Sequence, residues 1–252
     1  MYDKITVVHF SPTGGTRRAA LLLAESIAAE VREIDLALPR AETHAFGAEE
    51  LVLFAGPVYG GRLPGLMAER LELCRGGGAR AVTAVVYGGR AFEDALAELN
   101  DIVQARGFCV QASAALLAEH SIVRRLAAGR PDARDAVQLR AFGGRIAAKL
   151  ADGGGPVTVP GNRPYKEWGG MPAVPQASEA CTACGLCARD CPARAIDKDK
   201  PRETDPARCI LCMRCVAVCP QHARALPAPL IGMLEQKLLP LAGQRLENEL
   251  FL

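Results

Sequence analysis

The sequence predicts an α/β architecture: a doubly wound, five-stranded parallel sheet of order 2-1-3-4-5, followed by a small α+β unit organised by cysteines. Three observations lead there. Short apolar runs alternate with helix-period stretches through the first 151 residues, eight of the ten cysteines crowd between Cys181 and Cys219, and a glycine- and proline-rich stretch separates the two regions. The expected boundaries are 1–151 for the sheet domain, 152–178 for an ordered linker, 179–229 for the cysteine domain and 230–252 for a helical extension.

Strand-type runs occur at Ile5 to Phe10, Val31 to Asp35, Leu51 to Gly56, Ala81 to Tyr87 and Cys109 to Leu116. Between them, Thr16 to Ala29 carries Ala20, Leu23, Ala24 and Ile27 at helical spacing, and Leu66 to Cys74, Phe92 to Arg106 and Asp132 to Leu150 follow as helices. Strands apolar on both faces and alternating with helices imply a parallel sheet covered on both sides. Gly153, Gly154, Gly155, Pro156, Pro160, Pro164, Pro172 and Pro175 forbid a continuous helix or central strand in the linker. Ile231, Leu234, Leu238, Leu239, Leu241, Leu246 and Leu250 suggest one or two amphipathic helices at the end, broken near Pro240.

Composition narrows the function classes. The chain has 252 residues, is 50% hydrophobic and 23% charged, and carries 30 basic against 28 acidic side chains. That excludes disordered and collagenous chains and gives no basic nucleic-acid surface. No apolar run approaches the roughly 18 residues a membrane span needs, and Met1 leads straight into a strand-like run, so a soluble cytoplasmic protein is expected. A domain of this size buries its own core, so stability does not explain the cysteines.

Cys181, Cys184, Cys187 and Cys191 repeat as Cys209, Cys212, Cys215 and Cys219 at a constant offset of 28, each set followed by proline. C-x2-C-x2-C-x3-C-P is the bacterial ferredoxin spacing, in which the fourth cysteine crosses to the other cluster. One [4Fe-4S] cluster is therefore assigned to Cys181, Cys184, Cys187 and Cys219, and the other to Cys209, Cys212, Cys215 and Cys191. Paired zinc knuckles would use the same thiolates, but zinc does not require three cysteines at two equal gaps, a fourth and a proline, twice. Gly185, Ala188, Ala193, Ala217 and Ala223 are small enough to let backbone approach sulfide.

Ser11-Pro12-Thr13-Gly14-Gly15-Thr16 joins strand one to a helix, and hydroxyls with glycines at such a turn make an anion cradle. It lacks the lysine of a Walker loop and is no G-x-G-x-x-G turn, which suits a terminal phosphomonoester rather than a pyrophosphate. Strand three runs into Pro57-Val58-Tyr59-Gly60-Gly61-Arg62-Leu63-Pro64 and strand four into Tyr87-Gly88-Gly89-Arg90-Ala91-Phe92. In the 2-1-3-4-5 order, all three loops meet at the switch-point crevice.

These loops, "FSPTGGT", "PVYGGRLP" and "VVYGGRAFEDAL", resemble the phosphate loop and the two isoalloxazine loops of flavodoxins. With the two cysteine motifs, and with "AEHS", "GRPDARD" and "GNRPYK" further on, the chain resembles the flavodoxin-ferredoxin fusion proteins called EFR1-family ferredoxins. The resemblance implies a flavodoxin-like FMN domain exchanging electrons with a ferredoxin-like domain that holds two [4Fe-4S] clusters. Ser11, Thr13, Gly14, Gly15 and Thr16 would hold the FMN phosphate. Pro57, Val58, Tyr59, Gly60, Gly61 and Arg62 would line one flavin face, and Tyr87, Gly88, Gly89, Arg90 and Phe92 the ring edge. Gly15 stands where flavodoxins usually have asparagine, and Tyr59 where a tryptophan is usual. An arginine beside the ring, Arg62 or Arg90, would favour the anionic reduced flavin, unless both face solvent.

Of the remaining residues, His9 is expected in the core, Cys74 at the end of a surface helix and Cys109 in a buried strand. Trp168 would wedge the domains together, and His222 would neighbour a cluster. His120 follows strand five on the flavin side and joins Tyr59 and Arg90 as a candidate catalytic residue. The first functional expectation is an electron-transfer iron-sulfur flavoprotein of anaerobic metabolism that couples two-electron FMN to one-electron clusters. The alternative is an FMN-dependent reductase of an organic substrate or quinone, fed through its ferredoxin domain. Donor and acceptor redox proteins are the expected partners, nucleic acid and membrane are not, and a homodimer is left open.

Overall fold

The structure, a computed structural model, describes residues 2–40 and 42–252. β1 (Tyr2–His9) pairs in parallel with β2 (Ala28–Asp35) on one side and β3 (Leu51–Pro57) on the other. β4 (Arg80–Tyr87) and β5 (Cys109–Leu117) continue the parallel sheet. A sixth strand, β6 (Glu249–Phe251), lies antiparallel along the outer edge of β5, and the order reads β6-β5-β4-β3-β1-β2. The five parallel strands thus follow the doubly wound 2-1-3-4-5 order.

Two-residue alternation explains why the strands are apolar throughout. Val7 and Leu53 point to the face covered by α1 (Gly15–Ala24) and α4 (Ala133–Ala151). Val8 and Phe54 point to the face covered by α2 (Gly65–Leu71) and α3 (Ala95–Ala105). Each fully buried side chain of this kind contributes about 1.5–3 kcal/mol. Three polar exceptions satisfy one another: Thr83 Oγ1 donates to Asn100 Oδ1 at 2.6 Å and Asn100 Nδ2 to Ser113 Oγ at 3.0 Å, pinning α3 to β4 and β5.

α1 ends at Ala24, and β2 already begins at Ala28, where a helix to Ala29 is expected from the pattern. Leu23 O accepts both the N–H and the hydroxyl of Ser26, at 3.1 and 2.6 Å, which closes the turn early. Parallel pairing of Ala28 with Tyr2 then takes the chain into the sheet. Cys74 is buried, in a two-residue pairing with His44, and Cys109 is exposed at the start of β5, the reverse of their expected settings.

The C-terminal segment is the larger correction. α7 (Ala228–Leu238) and a 3-10 turn over Leu239–Gly243 are followed by β6 rather than by more helix. Leu250 packs on the α1/α4 side and Phe251 on the α2/α3 side, a period of two. The open edge of β5 supplies the hydrogen-bonding partners. Asn248 fixes the register, its Oδ1 accepting from Leu117 N at 2.8 Å and its Nδ2 donating to Gln138 Oε1 at 2.6 Å. Arg130 ties the approach, donating to Leu246 O and pairing with fully buried Asp135.

The cysteine domain is framed by an antiparallel pairing of Gln176–Ala177 with Arg224–Ala225 and holds two one-turn helices, α5 (Leu186–Arg189) and α6 (Arg214–Ala217). The 28-residue repeat is visible in the backbone. Ala183 and Leu211 have φ of 55° and 54°, Gly185 and Met213 76° and 61°, and Arg194 and His222 50° and 49°. Left-handed backbone at non-glycine residues costs about 1–3 kcal/mol each and persists only where the surroundings impose it. Here it recurs at matching positions around each cysteine set.

Candidate functional site

Cys181, Cys184, Cys187 and Cys219 line one small cavity of this domain, and Cys191, Cys209, Cys212 and Cys215 line a second. The fourth cysteine of each repeat therefore stands with the first three of the other. Among the described residues, no three His, Cys, Asp or Glu side chains converge as a single-ion site. The four sulfurs of each set wall a cavity, which suits a polynuclear core.

The donor set gives a second test of fit. Ala195 N and Ala223 N, again 28 apart, each donate to a crossing cysteine, Cys191 Sγ and Cys219 Sγ, at 3.3 Å. Arg224 is 2% exposed, lines the first cavity and brings Nη1 to 3.7 Å from Cys187 Sγ. Arg214 lines the second cavity. Each of these arginines has a buried Nε with no partner among the described residues. A buried unpaired N–H costs about 1–3 kcal/mol, and a sulfur-rich anionic core bound beside it would remove that cost.

At the carboxyl end of the sheet, Gly14 adopts φ +90° and caps α1. Ser11 Oγ accepts from Arg17 N at 2.9 Å, which folds the loop around the helix start. The N–H groups of Thr13, Gly15 and Thr16 take no partner among the described hydrogen bonds, so they point an open donor set at the cleft. Thr13, Gly15 and Thr16 line this cleft with Pro57, Val58, Tyr59, Tyr87, Gly88 and His120.

The cleft continues through Val58, Tyr59, Gly88 and His120 into a cavity of about 660 Å³, inside the usual range of about 300–1,000 Å³ for small-molecule sites. Gly60, Gly61 and Arg90 line it from the sheet domain, Lys166, Trp168 and Met171 from the linker, Cys209, Ile210 and Leu211 from the cysteine domain and Lys237 from α7. Its charged wall residues are Arg90, Lys166 and Lys237, and Glu93 pairs with the first two. Burial, with Cys212 and Cys209 nearby, holds the Tyr59 phenol well above its ordinary pKa. Tyr59 therefore stands as a neutral ring between the sheet loop and the second cysteine set.

His120 is fixed by its own turn. Its Nδ1 accepts from Ile122 N at 3.2 Å and Val123 N at 3.0 Å, which leaves the ring proton on Nε2. Burial, assisted by Arg90, lowers its pKa and keeps it neutral. His9 is 2% exposed, with Nε2 on Glu33 at 3.3 Å.

Several expected residues stand away from the cavity wall. Arg62 forms a bidentate pair with Glu98 at 2.8 and 2.7 Å, donates to Lys166 O and lies over the Tyr165 ring, so it stands half-buried away from the cavity wall. Gly89 backs onto Leu126 and Ala127, and Phe92 packs on Tyr87 and Phe251. Ser11 acts through the loop backbone rather than from the wall.

Sequence reasoning put Trp168 between the domains; it also forms cavity wall. A Cβ on Gly60 would fall 2.2 Å from the indole, so the ring lies directly on that glycine, which has φ +61°. The strap carrying it is held by buried Asp94, which accepts from Asn162 N, Asn162 Nδ2 and Lys166 N at 2.7, 3.0 and 2.8 Å. Arg163 and Tyr165 bind Asp101 alongside. Cys209–Leu211, Lys166 and Lys237 were missed as walls of the cavity and Arg214 as a contact to the phosphate loop, since no local pattern marks a contact made between domains; Arg224 was missed because its partner Cys187 is 37 residues away.

Residues 180–224 match the family described as 4Fe-4S dicluster domain. No curated protein matches the chain. Among solved structures, it is similar to the rubredoxin oxygen:oxidoreductase of Desulfovibrio gigas at 15% identity and a TM-score of 0.42, over 59% of this chain and 36% of that one. It is also similar to a Streptococcus pneumoniae TIGR4 flavodoxin at 19% identity and a TM-score of 0.41, over 58% of this chain and 99% of that one. Flavodoxin 2 of Bacillus cereus is similar at 19% identity and a TM-score of 0.42, with the same coverage of 58% and 99%. The chain thus spans about a third of the length of the oxidoreductase and nearly all of the flavodoxins. Among the described residues, no helix is long and apolar enough to cross a membrane.

Proposed function

We propose that the chain is an electron-transfer iron-sulfur flavoprotein, in the manner of the flavodoxin-ferredoxin fusions it resembles, with FMN in the cleft and two [4Fe-4S] clusters on the eight cysteines. The observation that carries this reading is the shared cavity: the sheet loops and Cys209–Leu211 line one space, with Tyr59 between. FMN, when bound, exchanges electrons in pairs, and the clusters take them singly. The residues supply the rest. The free N–H groups of Thr13, Gly15 and Thr16 bind phosphate, Tyr59 and Trp168 flank the ring, and His120 Nε2–H is a fixed donor at the junction of cleft and cavity.

The cluster at Cys209, Cys212, Cys215 and Cys191 is then the one beside the flavin. The cluster at Cys181, Cys184, Cys187 and Cys219 faces a protein partner, in keeping with the exposure of Cys184. Anaerobic metabolism and a cytoplasmic setting belong to the same proposal. Anaerobic purification should yield about eight irons and one FMN per chain, with electrons redistributing between flavin and clusters in a reductive series followed optically and by EPR. Eight irons with no flavin taken up from added FMN would refute the flavoprotein reading.

A second reading, a reductase of an organic substrate or quinone, is favoured by one feature. The cavity is large, and Lys237, the one wall cation that Glu93 does not pair, suits an acidic or carbonyl-bearing molecule beside the ring. Perturbation of the flavin spectrum by such a molecule would support it.

A further inference from the structure

Each cysteine set has one arginine with a stranded Nε–H, but the two arginines are wired differently. Arg224 stays on the cysteine domain and the end of its linker: Nη1 donates to Pro201 O at 2.6 Å and Nη2 to Pro175 O at 3.3 Å. Arg214 crosses to the sheet domain, where Nη1 donates to Pro12 O at 3.1 Å. Pro12 is the second residue of the phosphate loop, next to the free N–H of Thr13. The rest of the Arg214 guanidinium lines the cavity of Cys191, Cys209, Cys212 and Cys215, with its Nε buried and unpartnered.

We propose that Arg214 is the joint between the two redox centres. Its Nε–H donates to a sulfur of the cluster on Cys209, Cys212, Cys215 and Cys191, and its Nη1 holds the phosphate loop open for FMN. This rests on the flavoprotein reading and adds a residue that serves both sites. A guanidinium is suited to the task because its donors lie in one rigid plane, and it keeps its charge whatever the pH. An ammonium, a single compact charge on a flexible stem, serves one of the two sites at a time. A positive charge and a donor at the sulfur favour the reduced, more negative cluster, so losing Arg214 lowers the potential of that cluster and leaves the other unmoved.

The test uses the anaerobic holoprotein and its Arg214→Gln, Arg214→Lys and Arg224→Gln variants. The readouts are FMN affinity, by fluorescence quenching on binding, and the potential of each cluster, by EPR-monitored potentiometry with signals assigned through Cys219→Ala. Arg214→Gln should weaken FMN binding about tenfold, as loss of one charge-assisted contact does. It should also move the one-electron equilibrium of the flavin-side cluster about tenfold toward the oxidised form, about 59 mV. Arg214→Lys should restore part of the potential but little of the FMN affinity. Arg224→Gln should move only the other cluster and leave FMN binding unchanged.

If Arg214→Gln does not assemble both clusters, Arg214→Lys decides, because full FMN affinity in that variant overturns the proposal. Equal FMN binding by wild type and Arg214→Gln, or equal shifts at both clusters, also overturns it. A wild-type protein that takes no FMN overturns the flavoprotein reading as well, so the two failures are distinguishable.

Discussion

Asp94 is the sharpest handle on the site, because it holds the strap that carries Trp168 without capping the helix it begins. It is the N-cap of α3, yet its side chain makes no cap hydrogen bond there. All three strap contacts, from Asn162 N, Asn162 Nδ2 and Lys166 N, fall on its carboxylate. Hydrogen bonds to a charged group contribute about 1.5–3 kcal/mol each when buried. The strap donors regain water on release, so Asp94→Ala should cost the whole about 3–4 kcal/mol rather than the sum.

The assay is the emission of Trp168, the only tryptophan in the chain. Trp168 is about half exposed, one ring face lying on Gly60, so Asp94→Ala should add to its acrylamide quenching by freeing that face and, on the flavoprotein reading, weaken FMN binding, while helical circular dichroism stays unchanged. The pH dependence has a defined sign. The N–H groups of Asn162 and Lys166 hold the Asp94 carboxyl below its ordinary range. The stabilisation is therefore complete above the unfolded value of about 3.9 and is lost as pH falls through the lower folded value. Wild type should show the tryptophan transition in that acid window, and Asp94→Ala should show it already at neutral pH. Emission and quenching in Asp94→Ala identical to wild type at pH 7 would refute the strap argument.

Three further outcomes follow from the same geometry. Cys219→Ala should lose the cluster on Cys181, Cys184 and Cys187 and drop iron from about eight to about four per chain; full iron retention would contradict the crossing-ligand arrangement. Arg130→Ala leaves the fully buried Asp135 with Arg245 and Asn248 but without its bidentate partner and should cost at most about 3 kcal/mol in chemical denaturation, the low end for a broken buried pair. His120, lowered by burial, should titrate by NMR below the ordinary value of about 6.5. Its contribution to stability is then present above that value and lost as pH falls toward the folded one, and a midpoint above 6.5 would contradict its buried neutral state.

What the sequence revealed and what it hid divides by the range of the interaction. The cysteine repeat was readable because cluster ligation fixes local spacing, and the same 28-residue offset returns in the φ angles of Ala183 and Leu211. The parallel sheet was readable because Val7 and Val8, like Leu53 and Phe54, bury opposite faces. The C-terminal strand was not, since leucines at 246 and 250 fit a helical period as well as a strand, and the open edge of β5 decided between them. Arg62 reads locally as a flavin-loop cation, but Glu98, 36 residues further on, turns it away. Trp168 reaches the cavity only through Asp94 and Gly60, partners distant in sequence.

The return of the chain to the sheet changes what the linker does. With the cysteine domain only appended, residues 152–178 would be a tether, and the distance between the proposed flavin site and the cysteine sets would vary with it. Instead the domain sits between α4 and β6, so the polypeptide leaves the sheet domain and comes back. It is also fastened across the gap by Arg70 Nη2 on Pro192 O at 2.7 Å and Arg214 on Pro12 O at 3.1 Å. Beyond the strap, Asn248 remains on Leu117 N and Arg245 on Asp132 at 2.7 Å. A single cut in the exposed strap segment Glu167–Gly170 should therefore leave two fragments that co-elute in native size exclusion and, on the flavoprotein reading proposed above, keep electron exchange between flavin and clusters. Only denaturant, or removal of β6, should separate them. Fragments that part under native conditions after that cut would mean that covalent continuity, and not the returning strand, sets the distance between the centres.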